Sequence, residues 1–208
     1  MGDLNVFNFF SPLKTKINFF INAKVMYFLY NCFGEVRMVE LKDWVRALYP
    51  MHTFFITSTG EKGTNVFTVD WITVISRKPA ILCVSVSPLR YSHKLIKESS
   101  EFIVNVPSME LLEKVNKCGI LSGRDFDKFE TLGLEKAPSK MLKTEIVKDC
   151  IAFLECKVID SNNYGDHTLF VAEVVASYVT QDFIDSYKPI FHIKGSTFST
   201  IAEEQTKL

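Results

Sequence analysis

Runs of β-branched and aromatic residues that turn back on themselves constrain the fold of this chain more than any other feature. HTFFITST and NVFTVDWITVIS flank a turn from Gly60 to Gly63, and AILCVSVS follows shortly after. CIAFLECKVI and HTLFVAEVVASYV are joined by DSNNYGD, a composition that favours a hairpin. Regular strand–helix alternation, GxGxxG and GxxxxGK[ST] are all absent from the sequence. These features predict a mainly β, antiparallel fold, closed into a barrel with short helices over its openings.

Short helices are predicted between the strands. VELKDWVRALYP predicts an amphipathic helix ended by Pro50, and RYSHKLIKES predicts one that buries Leu95 and Ile96. SMELLEKVNKCG predicts a helix that begins after Ser108 and ends at Gly119. LSGRDFDKFETLGLEKAP predicts a polar loop with about one helical turn.

Composition excludes several classes of function. The chain has 208 residues, 47% of them hydrophobic, which is enough for a sizeable core. A formal net charge of +0 argues against a protein that binds nucleic acid through an overall positive charge. Five cysteines without a CxxC pair indicate neither a disulfide framework nor a zinc site, and no metal site is predicted. We interpret them as core residues in a reducing, cytoplasmic protein.

The first 37 residues differ in amino-acid composition from the rest of the chain. They are rich in Phe, Asn and Tyr, but lysines and asparagines interrupt every apolar run, so neither a membrane span nor a signal peptide is predicted. We expect residues 1–37 to be an extension outside the main domain, residues 38–208. Our hypothesis is that the native product begins at Met38, with the preceding residues arising from a wrongly assigned start.

Two polar clusters interrupt otherwise apolar strands, and each allows two interpretations. In GTNVFTVDW the polar residues either form a site or are the solvated face of an edge strand. In SVSPLRYSHKLI a strand ends where a helix begins, and uncapped N–H groups beside cations and hydroxyls suit a phosphate. The alternative is that Ser87 merely caps the helix and Arg90 points to water. His93 and Lys94 are expected to face solvent.

Two further residues have weaker local support. His167 starts a strand after a Gly–Asp turn and could exchange protons near neutrality, although a lone histidine is more often structural. Lys128 lies between acidic neighbours and Arg124, which by default indicates a solvated charged turn. No triad or metal-binding spacing accompanies them, so no catalytic residue is assigned beyond His167 as a possibility.

Taken in order, these segments resemble the flavin reductase-like, FMN-binding split-barrel family, which includes flavoredoxin. The similarity extends from about Ala47 to Phe198. The segments that carry it are NVFTVDW, PAILCVSVSPLRYSHKLI, EFIVNVPS, CGILSGRDFDKFETLGL, LEC and GDHTLFVAEV. Each is weak alone, but together and in register they are specific.

The resemblance implies a split β-barrel that forms a homodimer and holds FMN near the dimer interface. It places Asn65 and Trp71 along the flavin, and the backbone of Thr68, Val69, Asp70 and Trp71 against its ring. It assigns the phosphate end to Ser92 with Arg90 and Ser87. Lys128 and His167 would approach from other loops, and Phe198, or alternatively Phe191, would close the site.

Two functions follow from the resemblance. The first is an FMN-dependent oxidoreductase in which NAD(P)H reduces the flavin, which then reduces free flavin, ferric iron or a partner protein. The second is a flavoredoxin-like electron carrier that exchanges electrons with protein partners and has no NAD(P)H turnover of its own. Because the flavin supplies the chemistry, neither needs a dedicated general base.

Overall fold

The computed structural model describes residues 40–201, so the predicted extension 1–37 lies outside the described residues. The chain divides into two compact units between Ala47 and Leu48. A 3₁₀ helix, Trp44–Leu48, stands where an amphipathic helix was predicted, and none of its five residues is buried. That prediction was therefore wrong in both helix type and burial. Residues 48–201 carry the rest of the fold described below.

Antiparallel strands dominate these residues. They are β1 (Met51–His52), β2 (Phe54–Gly60), β3 (Gly63–Val69), β4 (Ile72–Arg77), β5 (Ala80–Val86), β6 (Glu101–Val106), β7 (Lys136–Ala137), β8 (Ile146–Val147), β9 (Ala152–Tyr164), β10 (His167–Val179), β11 (Phe191–Lys194) and β12 (Thr197–Ser199). Seven form one sheet in the order β3-β2-β6-β9-β10-β5-β4, in which every neighbouring pair is antiparallel. Smaller sheets join β1-β11-β12 and β7-β8. Both predicted hairpins, β2–β3 and β9–β10, are confirmed.

The large sheet closes on itself at the junction of its two edge strands. β3 and β4 lie at opposite ends of the strand order, yet only Asp70 and Trp71 separate them in the chain. The Ser85 backbone N–H donates to the Trp71 carbonyl at 2.9 Å, which ties this junction to β5. One buried cluster contains side chains from both halves of the sheet, among them Ile56, Phe67, Val84, Val104 and Phe170. The split β-barrel architecture is thereby confirmed.

Short helices cover the barrel, as predicted. They are α1 (Tyr91–Ser99), a 3₁₀ turn (Met109–Leu111), α2 (Leu112–Ile120), α3 (Lys128–Leu132) and α4 (Gln181–Ser186). Val115 of α2 and Phe129 of α3 pack in a second buried cluster with Phe55, Ile103 and Phe153. Because side chains alternate along a strand, β2, β6 and β9 are thus buried on both faces.

Two helical details differ from the predictions. α2 continues through Gly119 and ends at Ile120, because the extended backbone begins only at Leu121. His93 does not face solvent: its Nε2 lies 2.8 Å from the Thr168 hydroxyl and its ring meets Phe170 edge-on. Burial lowers the pKa of His93. Lys94 is exposed as predicted.

Cysteines behave as the core residues that the sequence predicted. Cys83, Cys118, Cys150 and Cys156 are buried and unbridged. Burial raises the pKa of each thiol, that of Cys156 to about 12. Across residues 40–201, no helix is long and apolar enough to cross a membrane.

His52 fixes the segment after β10 against the start of the barrel. Its Nε2 lies 2.6 Å from the Tyr187 hydroxyl, and its ring packs on Phe54 and Phe191. Burial lowers the pKa of His52 to about 4, although the charge of Asp70 opposes the shift. Burial also raises the pKa of Tyr187 to about 12, so the tyrosine donates and the neutral imidazole accepts.

This histidine should make stability depend on pH. Between pH 6.5 and about 4 the unfolded chain binds a proton at His52 that the folded chain does not, so the free energy of unfolding falls as pH is lowered through that window. His52→Gln keeps an acceptor for Tyr187 but cannot titrate. We expect urea unfolding at pH 7 and pH 5 to show a smaller loss of stability in the variant than in the wild type. An equal loss in both proteins would contradict this role.

Candidate functional site

The barrel junction opens into a concave region that we call the aromatic pocket. It has a volume of about 500 Å³ and is lined by residues 67–71 of the β3–β4 junction, residues 85–87 at the end of β5, and Arg90 and His167. Thr68, Val69, Asp70, Trp71 and Ser87 were predicted for a site and are brought together here. The junction places them side by side because β3 and β4 must bend apart at this point.

An aromatic wall forms one side of this pocket. The rings of Trp71 and His167 lie 4.7 Å apart between centroids at an angle of 39°. His167 Nδ1 lies 2.8 Å from the Asp166 carboxylate, which also lowers the pKa of Asp166. That contact orients the imidazole of His167, which lines the pocket. A planar ligand with a polar edge fits such a wall.

Asp70 links the aromatic pocket to the small β1-β11-β12 sheet. Its carboxylate accepts from the Thr53 hydroxyl at 2.7 Å and contacts His192 Nδ1 at 2.6 Å. His192 Nε2 in turn lies 2.9 Å from the Gly195 carbonyl, and Phe198 stacks on the ring at 5.0 Å. No local sequence pattern indicates this Asp–His contact, because the partners are 122 residues apart.

Phe198 and its alternative Phe191 do not line the pocket. Phe198 reaches it only indirectly, through His192 and Asp70. Phe191 packs towards His52 instead, with 5.8 Å between ring centroids. Each lies on the small sheet, whose register puts both aromatic rings against histidines rather than against the barrel junction.

A second concave region, which we call the cationic pocket, adjoins the first. It has a volume of about 590 Å³ and shares Phe67, Thr68 and Arg90 with the aromatic pocket, so the two pockets adjoin, and together we call them the groove. Its lining also includes Ser92, Lys128 and residues 118–124. The lining described here contains three cations and no carboxylate side chain. Such a pocket attracts an anion.

Lys128 is the most constrained of these cations. It is only 4% exposed, and its ammonium donates to the Cys118 carbonyl at 2.8 Å. No carboxylate within residues 40–201 forms an ion pair with it. Burial lowers the pKa of Lys128, with the nearby charge of Arg90 adding to this effect and Cys118 opposing it. The interpretation as a solvated charged turn was therefore wrong, because Asp127 caps α3 and turns the lysine inward.

Ser92 lines the cationic pocket, whereas Asn65, which was also predicted for the site, lines neither pocket and contacts Ser92 instead. Asn65 Nδ2 donates to Ser92 Oγ at 2.9 Å, and both side chains are buried. Because the hydroxyl accepts this bond, its own proton can be donated to a ligand. Gly123 packs directly on Asn65, since a Cβ there would lie 2.1 Å from Asn65 Oδ1. Only glycine allows the loop to approach this closely.

The start of α1 also faces the cationic pocket. Arg90 occupies the N-cap position and provides no side-chain cap, so the first-turn N–H groups of this nine-residue helix have no capping side chain. Ser87 Oγ instead accepts from the Leu89 N–H at 3.4 Å, two residues further on. The alternative in which Ser87 caps the helix is therefore wrong. Arg90 lines both pockets rather than pointing away from them.

Sequence reasoning missed several lining positions. Ser85 and Val86 line the aromatic pocket, and Tyr91 and residues 118–123 line the cationic pocket. The segment CGILSGR was recognised as a carrier of the resemblance, but no role in the site was predicted for residues 118–123. These residues are mostly apolar or small, so their side-chain chemistry gives no signal of a site.

Comparisons with known proteins identify the family. The sequence model described as "Flavin reductase like domain" matches residues 45–198. The chain belongs to the flavin reductase-like family. An uncharacterized protein of Archaeoglobus fulgidus is 41% identical over 172 residues, which cover 80% of this chain and 97% of that one. A ferric-chelate reductase (NAD(P)H) of the same organism is 26% identical over 145 residues, 69% of this chain and 83% of that one.

Solved structures of similar proteins superpose on the split barrel described above. Flavoredoxin from Methanosarcina acetivorans superposes with a TM-score of 0.75 at 23% identity, over 83% of this chain and 95% of that one. An FMN-binding protein from Thermus thermophilus, with bound p-hydroxybenzaldehyde, superposes with a TM-score of 0.74 at 23% identity, over 84% and 99%. The family and the split-barrel fold of this flavin reductase-like protein are thereby confirmed, whereas the assigned site residues stay predictions.

The contact of Gly123 with Asn65 can be tested through stability. Gly123→Ala would force a Cβ against Asn65 and against Tyr91, 2.9 Å away, and should lower the free energy of unfolding by about 1–3 kcal/mol. Gly119→Ala is the matched control, because its Cβ would meet Thr68 at an ordinary 3.7 Å inside α2. That change should be neutral or stabilise by up to about 1 kcal/mol. Equal unfolding midpoints for the two variants in urea would contradict this account.

Proposed function

We propose that this protein is an FMN-dependent oxidoreductase that uses NAD(P)H to reduce the flavin, which then reduces free flavin, ferric iron or a partner protein. One observation carries the proposal: two adjoining pockets have an aromatic wall in one and, in the other, cations that form no ion pair with a carboxylate of residues 40–201. FMN has the same polarity, with a planar ring at one end and a phosphate at the other. The family description and the ferric-chelate reductase relative support the same class of chemistry.

The phosphate end fits the cationic pocket. Lys128 and Arg90 supply charge, Ser92 can donate its hydroxyl proton, and the start of α1 offers uncapped N–H groups. A phosphate prefers this combination of donors. A buried ammonium without a carboxylate partner is costly, and a bound anion would supply the missing charge.

The ring end fits the aromatic pocket. Trp71 and His167 provide a wall for a planar ring, and the backbone of residues 68–71 provides hydrogen-bonding groups along its edge. Ser87 also lines the aromatic pocket, three residues before Arg90, which lines both pockets. His167 lines the same pocket as Trp71.

Bound FMN would supply the redox chemistry, accepting a hydride from NAD(P)H and passing electrons onward. The protein's own residues bind and orient it. A cation or N–H donor near the polar edge of the ring favours the anionic reduced form, and His167 is the candidate in the aromatic pocket. Lys128, held by the Cys118 carbonyl, is placed for the phosphate end instead.

The alternative function is a flavoredoxin-like carrier that holds FMN and exchanges electrons with protein partners. Its support is the superposition on flavoredoxin. The two candidates share the same groove and differ in whether NAD(P)H can reach the ring.

We also propose that the protein forms a homodimer. Val74 and Ile75 are 72% and 55% exposed on β4, an edge strand of the large sheet. Exposed apolar side chains on an edge strand are a ready surface for a second copy. Sedimentation equilibrium should give twice the chain mass of 23.8 kDa, and a monomer mass at micromolar concentration would contradict the dimer.

A spectroscopic experiment separates the two functions. The purified protein is loaded with FMN, freed of excess ligand and mixed anaerobically with NADH or NADPH while the visible absorbance is recorded. We expect rapid bleaching by at least one nicotinamide. Bleaching only by dithionite or a reduced partner protein would favour the carrier, and a protein that retains no FMN would overturn both functions.

Arg90 provides a test of the phosphate end. Arg90→Ala removes a charge that lines the cationic pocket, so FMN affinity should fall about tenfold, as expected for the loss of one charge-assisted hydrogen bond. Riboflavin has no phosphate, and its affinity should stay within about twofold of the wild type. Fluorescence titrations measure both constants, and equal losses for the two ligands would rule out the phosphate role.

A further inference from the structure

The cationic pocket has a buried floor and an exposed rim. Ser92, Cys118 and Lys128 at the floor are 3%, 1% and 4% exposed. Leu89 and Ile120, which line the same pocket, are 82% and 71% exposed. A ligand that extends beyond a phosphate bound on the floor would therefore have to leave past this rim.

A hydrogen bond crosses the rim between two loops that are distant in sequence. Arg124 Nη1 donates to the Leu89 carbonyl at 2.9 Å and joins the loop after α2 to the turn before α1. Neither this guanidinium nor its partner is needed by the core, since both residues are exposed.

Both ends of this bond are held by their own backbone. Ser122 Oγ accepts from the Arg124 N–H at 3.2 Å, and the Ser122 carbonyl accepts from the N–H groups of Asp125 and Phe126. On the other side, the Arg90 N–H donates to the Ser87 carbonyl at 2.9 Å. The Leu89–Arg124 bond thus joins two ordered turns rather than two free side chains.

We propose that the Arg124–Leu89 bond closes the cationic pocket behind a terminal phosphate and makes the site selective for FMN over FAD. This inference rests on the proposed function. FMN ends at its phosphate, whereas FAD continues from the same phosphate into a second phosphate, a ribose and an adenine. By joining the two loops at the rim, the bond obstructs the route along which the adenylate half would pass from the buried floor to solvent. The remaining N–H groups of Arg124 can in addition donate to a terminal phosphate oxygen.

The test compares three ligands in three proteins. Dissociation constants for FMN, FAD and riboflavin are measured by equilibrium dialysis for the wild type, Arg124→Ala and Lys94→Ala. Lys94 is the control, because it is an exposed cation on α1 that does not line the pocket and pairs with Glu98. FMN and FAD are both anionic, so a general loss of positive charge should weaken the binding of both. The ratio of the FAD to the FMN dissociation constant therefore measures the effect of the Arg124–Leu89 bond itself.

We expect the wild type to bind FMN at least about tenfold more tightly than FAD. In Arg124→Ala this ratio should fall at least about fivefold, because FMN loses a donor and FAD gains a passage, while riboflavin affinity is unchanged. Lys94→Ala should retain the wild-type ratio.

Two results would overturn the inference while leaving the proposed function intact. One is a wild-type protein that binds FAD as tightly as FMN, and the other is an Arg124→Ala variant with the wild-type ratio. A wild-type protein that binds none of the three flavins would instead defeat the proposed function. Circular dichroism of Arg124→Ala, an exposed position, should match the wild type and confirm that the variant is folded.

Discussion

The barrel and the groove both depend on the junction between β3 and β4. These strands are the two edges of the large sheet, and the Ser85–Trp71 backbone hydrogen bond ties their connection to β5. Tying the connection to β5 packs side chains from both halves of the strand order into one core, while β3 and β4 stay the edge strands of the sheet. The same bend leaves a concavity lined by Asp70 and Trp71. Asp70 and Trp71 therefore contribute both to the barrel, by connecting its edge strands, and to the lining of the groove.

The cationic pocket illustrates how function opposes stability. Within residues 40–201, Lys128 is buried without a carboxylate partner, although the carbonyl of Cys118 satisfies one of its donors. In the same part of the chain, the hydroxyl of buried Ser92 is engaged only as an acceptor from Asn65. A core selected for stability alone would use apolar residues at such positions. Buried polar groups that converge on an open groove instead indicate a site completed by an anionic ligand.

Much of this organisation could be predicted from the sequence, and the failures have physical causes. Strand runs and Gly-containing turns predicted both hairpins, because alternation and turn chemistry are local properties. The resemblance assigned Lys128 to the site, but its local sequence indicated a solvated turn, since its burial depends on how Asp127 caps α3. The Asp70–His192 contact and the Arg124–Leu89 bond join positions far apart in the chain, which no local pattern reports. The expectation that Phe198 closes the site stays a prediction; the register of the small sheet stacks its ring on His192.

The most direct test of this account replaces Lys128 by methionine, which has a similar length but no charge. The ligand-free variant should be at least as stable as the wild type to urea, because a costly buried cation is removed. Its affinity for FMN should fall by about tenfold or more, whereas riboflavin affinity stays within about twofold. A Lys128→Met protein that binds FMN as tightly as the wild type would contradict the assignment of the cationic pocket as a phosphate site.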